Sequence, residues 1–440
     1  MPKACADLLI EARWILPMSE PGLLLEHHSL AVQNGRIIDI LPRQTALQRH
    51  PGAQLVQRPT HLLMPGLVNA HTHAAMSLFR GFAEGLPLMQ WLREKIWPLE
   101  RRFVNAQFVR DGALLSIAEM LRAGISCFGD MYFYPNETAT AVAEQGMRAV
   151  IGAPVADFPS PWAITPAEYL SKALSVRDEF KGHPRIGSAF APHAPYTVGD
   201  DTFMRIRTLA DELDAGIMIH LHESAQEIDE SLARFGMRPI ERLERLGMLT
   251  PALNAVHMAH VSAADIELAR RGAITVTLCG ESNLKLDNGA PPVSRWARSG
   301  VTLGLGSDGP ASNNDQDLWP EIRLTALLAR DAADAAPPLS PWQALAMATR
   351  GGAVALGLGD EIGTLEAGKW ADVCCVNFDH PAMQPVFDPC ALLVYSGSRD
   401  LVSDVWVAGR QLLGDGELLR LDWPAVRERA QHWARTLAAA

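Results

Sequence analysis

Two histidines separated by a single residue, His71 and His73, end an apolar stretch that begins at Gly66. Alternate residues of a β-strand point to the same side, so both imidazoles can reach one point beyond the end of that strand. Imidazole is a common ligand of zinc and related divalent ions. An isolated His-x-His pair is more often structural, but this pair ends the first strand of a strand-helix repeat, which favours a metal site.

A second group of polar residues, His220, His222 and Glu223, lies in the apolar run IMIHLHES. Such side chains are costly to bury without partners. We therefore expect His220 to be a metal ligand and Glu223 to be a carboxylate that moves a proton. For His222 two interpretations stay open, a residue that supports the metal ligands or a structural histidine.

Two later runs contribute the remaining candidates, His257 and His260 in NAVHMAH and Asp308 in VTLGLGSD. An aspartate before a glycine is common in turns, but the position of Asp308 at the end of the last run favours a ligand. Three histidines and one aspartate form a suitable ligand set for zinc or another borderline divalent ion, with a position left for water. The set is His71, His73, His220 and Asp308.

These candidates are distributed over eight short apolar runs that alternate with segments of helical length between Gly66 and Asp308. The runs are GLVNAHTH, ISCFGDMY, RAVIGAPV, RIGSAFAPH, IMIHLHES, NAVHMAH, AITVTLCG and VTLGLGSD. This alternation predicts an α/β fold, a closed parallel (β/α)8 TIM barrel. Active sites of this fold lie at the carboxyl ends of the strands, where the candidate residues stand.

The segments on either side of the barrel are rich in short strands. An Asn34-Gly35 hairpin signal precedes the barrel, and the runs KWADVCCVNF and DVWVAGRQLL follow it. At 440 residues the chain can form one barrel and a small companion domain. We predict that residues 65–362 form the barrel and that residues 1–64 and 363–440 pair into a small β-sandwich.

Composition narrows the class of protein. The formal net charge of −11 is spread along the chain, which argues against a nucleic-acid partner. The six cysteines contain no C-x-x-C pair, and neither an export signal nor a membrane span is visible in the sequence. We predict a cytoplasmic homo-oligomer that acts on a small molecule and binds neither nucleic acid nor membrane.

Seven segments carry a family resemblance that spans nearly the whole chain: MPGLVNAHTHAAMSLFRG, WPLE, APHAPY, IHLHES, SNLKLDNG, LGSDGPASNN and GTLEAGKWADV. In these segments the chain resembles the amidohydrolase superfamily and, within it, the group of 5-methylthioadenosine/S-adenosylhomocysteine deaminases. The resemblance implies that the metal ligands are His71, His73, His220 and Asp308. It implies that the catalytic residues are Glu223, His257 and Asp308. It implies that the substrate contacts are Glu100, His193, Glu223 and Asp308.

Two positions depart from the pattern of the relatives. Relatives usually carry a His-x-Pro segment before the Ser-Asn of strand seven, where this chain has Cys279-Gly280-Glu281. The shape of that loop is therefore open. Some relatives also place an arginine after strand three, near the tail of the substrate, whereas VIGAPVADFPS contains none. Recognition of the tail is therefore expected to differ.

A single divalent ion per subunit is expected. Members of the superfamily that bind two metals use a bridging carboxylated lysine or a glutamate from the middle of the barrel. In this chain no lysine occurs between Lys181 and Lys285, and the fourth run has no carboxylate. We expect the ion to be Zn²⁺, with Fe²⁺ as the alternative.

The predicted reaction is hydrolytic removal of ammonia from the adenine ring of 5-methylthioadenosine or S-adenosylhomocysteine. A bound divalent ion lowers the pKa of its water toward about 7. Glu223 would then carry a proton to a ring nitrogen, His257 would orient the nucleophile, and Asp308 would pass on a second proton. Alternatives on the same architecture are deamination of guanine or 8-oxoguanine and removal of chloride or an amine from a triazine. A non-catalytic assembly protein is the alternative of another class, against which the intact ligands and Glu223 argue.

Overall fold

The computed structural model describes residues 5–330 and 339–439, and its strands and helices lie within these ranges. The strands, in chain order, are Leu8–Ile15 (β1), Leu25–Glu26 (β2), His28–Gln33 (β3), Arg36–Pro42 (β4), Gln54–Pro65 (β5), Leu67–Thr72 (β6), Ile125–Met131 (β7), Arg148–Val155 (β8), Ile186–Pro192 (β9), Gly216–Leu221 (β10), Leu253–His257 (β11), Thr275–Leu278 (β12), Thr302–Leu305 (β13), Val373–Asn377 (β14), Val402–Val407 (β15), Arg410–Gly414 (β16) and Glu417–Leu418 (β17).

Helices connect the strands. The α-helices are Arg43–Arg49, Leu88–Trp91, Trp97–Phe103, Ala106–Arg122, Pro135–Gln145, Pro166–Glu179, Asp200–Leu213, Ala225–Phe235, Pro239–Arg245, Ala263–Arg271, Gly280–Lys285, Val293–Arg298, Leu318–Leu328, Pro341–Ala346, Gly352–Ala355, Pro389–Ser396 and Trp423–Ala438. Single π-helical turns lie at Leu92–Ile96 and Met347–Gly351. Short 3₁₀ helices lie at Ala74–Phe79, Pro381–Met383 and Arg399–Leu401.

Strands β6 to β13 form an eight-stranded sheet in which each strand pairs in parallel with the next one along the chain. A parallel bridge between Thr72 and Asp308 closes the sheet. At the same seam the Asn69 amide donates to Ser307 Oγ at 2.8 Å, and the Ser307 backbone amide donates to Asn69 Oδ1 at 3.0 Å. Each strand overlaps one of the apolar runs, so the predicted (β/α)8 barrel is confirmed.

Both chain ends build a second, nine-stranded sheet with the order β17-β16-β15-β14-β5-β1-β3-β4, in which β2 pairs with β1. The sheet is mixed because β1 and β5 are parallel while the other pairs are antiparallel. Asn34 and Gly35 turn the β3–β4 hairpin with φ of 50° and 78°, the left-handed conformation that a tight hairpin requires. The predicted hairpin and the predicted pairing of the two chain ends are both confirmed.

The two sheets meet where β5 runs into β6 with only Gly66 between them. A Cβ at Gly66 would collide with the side chain of Ser126, so the close approach to β7 requires glycine. Across the same junction Arg148 of β8 forms a buried two-point ion pair with Asp372, with nitrogen–oxygen distances of 2.6 and 3.1 Å. The domain boundaries after residues 64 and 362 stay a prediction.

No helix of the described ranges combines the length and the apolar character that crossing a membrane requires.

Removing the carboxylate of the buried pair should destabilise the protein. In Asp372→Ala the Arg148 guanidinium would stay buried without its partner, a change that typically costs about 3–5 kcal/mol. Urea unfolding should show this loss. The matched control is Glu267→Ala, which removes an exposed pair with Arg270 and should leave the midpoint unchanged. Equal midpoints for the two variants would contradict the role assigned to the buried pair.

Candidate active site

Four potential ligands converge at the carboxyl ends of the first, fifth and eighth barrel strands. One ligand atom each from His71, His73, His220 and Asp308 lies within 4.8 Å of all the others. The Nε2 atoms of His71 and His220 are 3.2 Å apart, and Asp308 Oδ1 lies 3.4 and 3.2 Å from Nε2 of His71 and His73. The barrel therefore brings together the predicted set, and these four side chains can hold one metal ion.

Backbone carbonyls orient two of the imidazoles. His73 Nδ1 donates to the Met131 carbonyl at 2.5 Å, and His220 Nδ1 donates to the His193 carbonyl at 2.7 Å. With the proton on Nδ1, Nε2 of each ring points at the other ligands, and in the neutral ring it carries the lone pair that a metal ion would bind. This is the tautomer that metal-binding histidines take when a carbonyl accepts from the second nitrogen.

The two carboxylate oxygens of Asp308 differ in their partners: hydrogen bonds hold one of them, and the other faces the histidine ligands. Its Oδ2 accepts hydrogen bonds from the hydroxyls of Ser282 at 2.6 Å and Ser312 at 2.9 Å. Its buried Oδ1 accepts no well-formed hydrogen bond from the described residues and faces the histidines. A buried carboxylate oxygen without a donor is costly. A cation ligated at that atom would satisfy it, so the donor set fits a divalent metal.

The electrostatics of the cluster also favour a cation. Burial lowers the pKa of His71 to about 4, so this ring is a neutral ligand. For His73 burial acts in the same direction, but the adjacent Asp308 carboxylate outweighs it and raises the pKa to about 9. Burial would raise the pKa of Asp308, yet the neighbouring histidines hold it well below its usual value. Positive charge is therefore stabilised at the point where the ligand atoms meet.

Three residues at the strand ends adopt left-handed backbone conformations. His222, His257 and Asp308 have φ of 52°, 76° and 59°. Non-glycine residues rarely adopt this conformation, and it persists where the surroundings enforce it, often at functional sites. These turns direct consecutive side chains at the mouth of the barrel toward different neighbours.

Glu223 stands beside the ligand cluster on the turn after β10. The carboxylate of Glu227 accepts hydrogen bonds from the backbone amides of His222 at 2.9 Å and Glu223 at 2.8 Å, which positions this turn. The Asn288 amide donates to Glu223 Oε1 at 3.1 Å. Burial, and then the charge of Asp308, raise the pKa of Glu223 to about 8. The carboxyl group can therefore carry a proton near neutral pH.

His257 faces the same point as Glu223. Its Nε2 lies 3.7 Å from Glu223 Oε1, and its Nδ1 lies 3.4 Å from Asn283 Oδ1. Burial lowers the pKa of His257, so the ring is neutral. A neutral imidazole between a carboxyl group and the ligand cluster can orient a water molecule.

His222 and His260 lie away from the ligand cluster. His222 donates from Nδ1 to the His260 carbonyl at 3.0 Å and accepts at Nε2 from the Ile240 amide at 3.1 Å. Both of its ring nitrogens therefore have backbone partners, which favours the structural interpretation. His260 Nε2 donates to the Asn288 carbonyl at 2.6 Å, so this histidine supports the residue that contacts Glu223.

A cavity, here called the inner cavity, extends from the ligands into the mouth of the barrel. Three of the four ligands line it, together with Glu223 and His257, and Glu100 and His193 belong to the same wall. Tyr132 donates to Glu100 Oε1 at 2.8 Å, and burial raises the pKa of Glu100 to about 7. His193 Nδ1 donates to Thr197 Oγ1 at 3.0 Å, which leaves Nε2 as an acceptor. Most of the remaining wall is apolar or aromatic.

The loop at Cys279-Gly280-Glu281, open in the sequence, forms the start of the helix Gly280–Lys285. The buried carboxylate of Glu321 accepts hydrogen bonds from the backbone amides of Gly280 at 3.0 Å and Glu281 at 2.9 Å. This helix carries Ser282, the residue that holds Asp308 Oδ2.

Sequence reasoning did not assign several residues that hold the site together. Asn288, Ser282 and Ser312 lie inside the segments that carried the resemblance, but nothing local in those segments indicates their partners. Glu227 had a usable signal, because Ser224-x-x-Glu227 follows the pattern of a helix N-terminus. Ser224 does accept from the Glu227 amide. The Glu227 side chain, however, holds the preceding two amides of the turn.

A (β/α)8 barrel with three histidines, an aspartate and a buried glutamate at the carboxyl ends of its strands defines a metal-dependent hydrolase. The family model described as "Amidohydrolase family" matches residues 62–412. The chain belongs to the amidohydrolase family, which confirms the predicted family and enzyme class.

Individual relatives agree with this assignment. The chain is 44% identical over 433 residues to the 5-methylthioadenosine/S-adenosylhomocysteine deaminase of Teredinibacter turnerae, with 98% of each chain covered. Its structure matches that of an adenosine deaminase from Xanthomonas campestris with bound zinc at a TM-score of 0.98 and 44% identity, with 100% of both chains covered. The zinc complex of an atrazine chlorohydrolase from Arthrobacter aurescens matches at a TM-score of 0.91, covering 97% of this chain and 99% of the other. Its 22% identity shows a shared fold alone.

Two neighbouring histidines of β10 and its turn offer a matched test of the ligand set. We expect the purified protein to bind one divalent ion per chain and His220→Asn to lose most of it, because a ligand is removed. His222→Asn should keep the metal and lower the free energy of unfolding by about 1–3 kcal/mol, because buried backbone groups lose their partners. Elemental analysis and urea unfolding measure these effects. Two tightly bound ions per active chain, or metal loss only in His222→Asn, would contradict the assignment.

Proposed function

We propose that the protein is a metal-dependent hydrolytic deaminase of 5-methylthioadenosine and S-adenosylhomocysteine, which converts the adenine ring and water into hypoxanthine and ammonia. The observation that carries this proposal is a single cavity that joins the ligand cluster and Glu223 to the buried carboxyl group of Glu100. The Teredinibacter relative, which bears the name of this activity, supports it with 44% identity along nearly the whole chain.

A divalent ion at His71, His73, His220 and Asp308, expected to be zinc as in the Xanthomonas structure, would supply the Lewis acidity that makes water nucleophilic near neutral pH. The reaction forms a bond between the water oxygen and C6 of adenine and breaks the bond from C6 to the amino nitrogen.

Three residues of the chain would act on the attacking water, and two of them would move its protons. Glu223, which Asn288 holds by Oε1, takes a proton from the attacking water and delivers it to the ring nitrogen next to C6. His257, close to the same oxygen, orients the water. Asp308 accepts the second proton of that water and passes it to the amino group, which leaves as ammonia. The two water protons then reside on the ring nitrogen and on ammonia, which balances the reaction.

Glu100 would bind the ribose. A carboxylate has about four acceptor sites, and among the described residues only the Tyr132 hydroxyl occupies one in Glu100. The free acceptors match the two adjacent hydroxyls of a ribose. His193 offers one more acceptor, Nε2, toward the same part of the inner cavity.

Glu100 also separates this proposal from its alternatives. A triazine has no pair of hydroxyls for a buried carboxylate, and neither has a free guanine or 8-oxoguanine base. A non-catalytic role as an assembly protein would not explain why a buried Asp308 oxygen lacks a donor, or why Glu223 lies beside the ligand cluster.

A cytoplasmic location is part of the proposal. All six cysteines are free thiols, as is usual in reducing compartments. Assembly as a homo-oligomer and the lack of a nucleic-acid partner stay predictions from the sequence.

Replacing the proton-carrying carboxyl group should abolish turnover without removing the metal. Glu223→Gln is expected to retain bound metal and to lose about 10²–10⁴-fold in kcat, the usual contribution of a positioned acid-base group. Ultraviolet absorbance on 5-methylthioadenosine and elemental analysis report the two quantities. Near-normal turnover in this variant would remove Glu223 from the mechanism.

Loss of the ribose contact should affect nucleosides and spare the free base. Glu100→Ala is expected to lower kcat/KM on 5-methylthioadenosine and adenosine by about tenfold to a hundredfold, at about 1.4 kcal/mol per factor of ten. Adenine should change little because it has no hydroxyls. Glu94→Ala, an exposed glutamate of the same helical segment, is the matched control. An unchanged efficiency on nucleosides, or a wild-type preference for a triazine, would refute the substrate.

A further inference from the structure

A second cavity adjoins the inner one and is here called the outer cavity. The two cavities share five wall residues, which are Trp97, Glu100, Phe133, Phe158 and Tyr196. Glu100 therefore stands at their junction. A substrate whose ribose lies at Glu100 and whose base lies at the ligand cluster would extend its 5′ substituent toward the outer cavity.

The outer cavity carries charges of both signs. Arg93, Arg101 and Glu230 line it. Within the described part of the chain, no ion pair or hydrogen bond joins either guanidinium to another residue. Glu230 accepts one hydrogen bond, from Gln226 to Oε1. Two free cations and one anion at the rim of a cavity match a ligand group that is itself zwitterionic.

The π-helical turn Leu92–Ile96 explains how two arginines eight positions apart face the same cavity. In an α-helix of about 3.6 residues per turn, eight residues would rotate Arg101 by about 80° from Arg93. A π turn contains one extra residue and so cancels about 100° of this rotation. The directions of Arg93 and Arg101 around the helix axis then differ by only about 20°. The turn thus directs Arg93 and Arg101 to the outer cavity, while Trp91 and Ile96 of the same segment face the inner one.

We propose that the outer cavity binds the α-amino acid end of S-adenosylhomocysteine, with Arg93 and Arg101 facing the carboxylate and Glu230 facing the ammonium group. This inference rests on the proposed function and deepens it. The loop after β8 contains no arginine and contributes Phe158 to the shared wall instead. The thioether would pass along this aromatic wall, a favourable contact for sulfur. The charges for the tail come from the segments after β6 and β10.

The test compares kcat/KM of the wild type and its variants on four substrates that differ only at the 5′ position. These are 5-methylthioadenosine, S-adenosylhomocysteine, the analogue whose tail keeps only the ammonium group, and the analogue whose tail keeps only the carboxylate. The variants are Arg93→Gln, Arg101→Gln, the double variant and Glu230→Gln. Lys95→Gln is the matched control, because Lys95 is an exposed cation of the same helical segment that lines neither cavity.

Each single arginine variant should lower kcat/KM by about three- to fivefold on both carboxylate-bearing substrates, and the double variant by about tenfold, the size expected for solvent-exposed charge pairs. Glu230→Gln should lower it only on the two ammonium-bearing substrates. All variants should keep the efficiency of the wild type on 5-methylthioadenosine within about twofold, and Lys95→Gln should do so on all four substrates.

Two outcomes would overturn the tail site while leaving the proposed deaminase intact. The first is an unchanged efficiency of the double variant on S-adenosylhomocysteine, and the second is an equal loss on 5-methylthioadenosine, which would indicate a disturbed helical segment. If the wild-type enzyme deaminated none of the four nucleosides, the proposed function would be refuted, and the tail site with it.

Discussion

The parallel bridge between Thr72 and Asp308 joins the first and last strands of the barrel, and the metal-ligand cluster is built around it. The backbone amide of Asp308 donates a hydrogen bond to the carbonyl of His71 at 3.1 Å. The two ligands are therefore neighbours across the seam, although more than two hundred residues separate them in the chain. Asn69 and Ser307 add side-chain hydrogen bonds to a seam with a single backbone bridge. Without closure, the aspartate would not reach the histidines of the first strand.

Buried carboxylates hold the turns that the closed barrel presents at its mouth. Glu227 and Glu321 each accept from two consecutive backbone amides, one pair after β10 and the other after β12. Burial raises the pKa of both carboxyl groups, because removing a carboxylate from water costs free energy. The charge-assisted hydrogen bonds offset part of that cost. In return, Glu223 and Ser282 occupy defined positions beside the ligands.

The helical segment from Leu88 to Phe103 contributes to both cavities along its length. Trp91 and Ile96 line the inner cavity, Glu100 stands at the junction, and Arg93 and Arg101 line the outer one. The π turn is the device that allows this, because it shifts the helical phase between the two ends of the segment. One continuous helical segment therefore presents different residues to the two cavities.

The sequence alone predicted the barrel and its eight strands, and it singled out the four candidate ligands and Glu223. Strand periodicity is a local property, and parallel strands of one barrel must open at the same end, so His71, His220 and Asp308 could be placed at one mouth before any contact was known. Local pattern did not assign the function of Glu227, Asn288 or Arg93. Three points depend on segments that are far apart in the chain: which amide a carboxylate holds, whether His222 supports the metal ligands or is structural, and which cavity an exposed arginine faces. Only the closed tertiary structure decided these points, because it alone brings those segments within hydrogen-bonding distance.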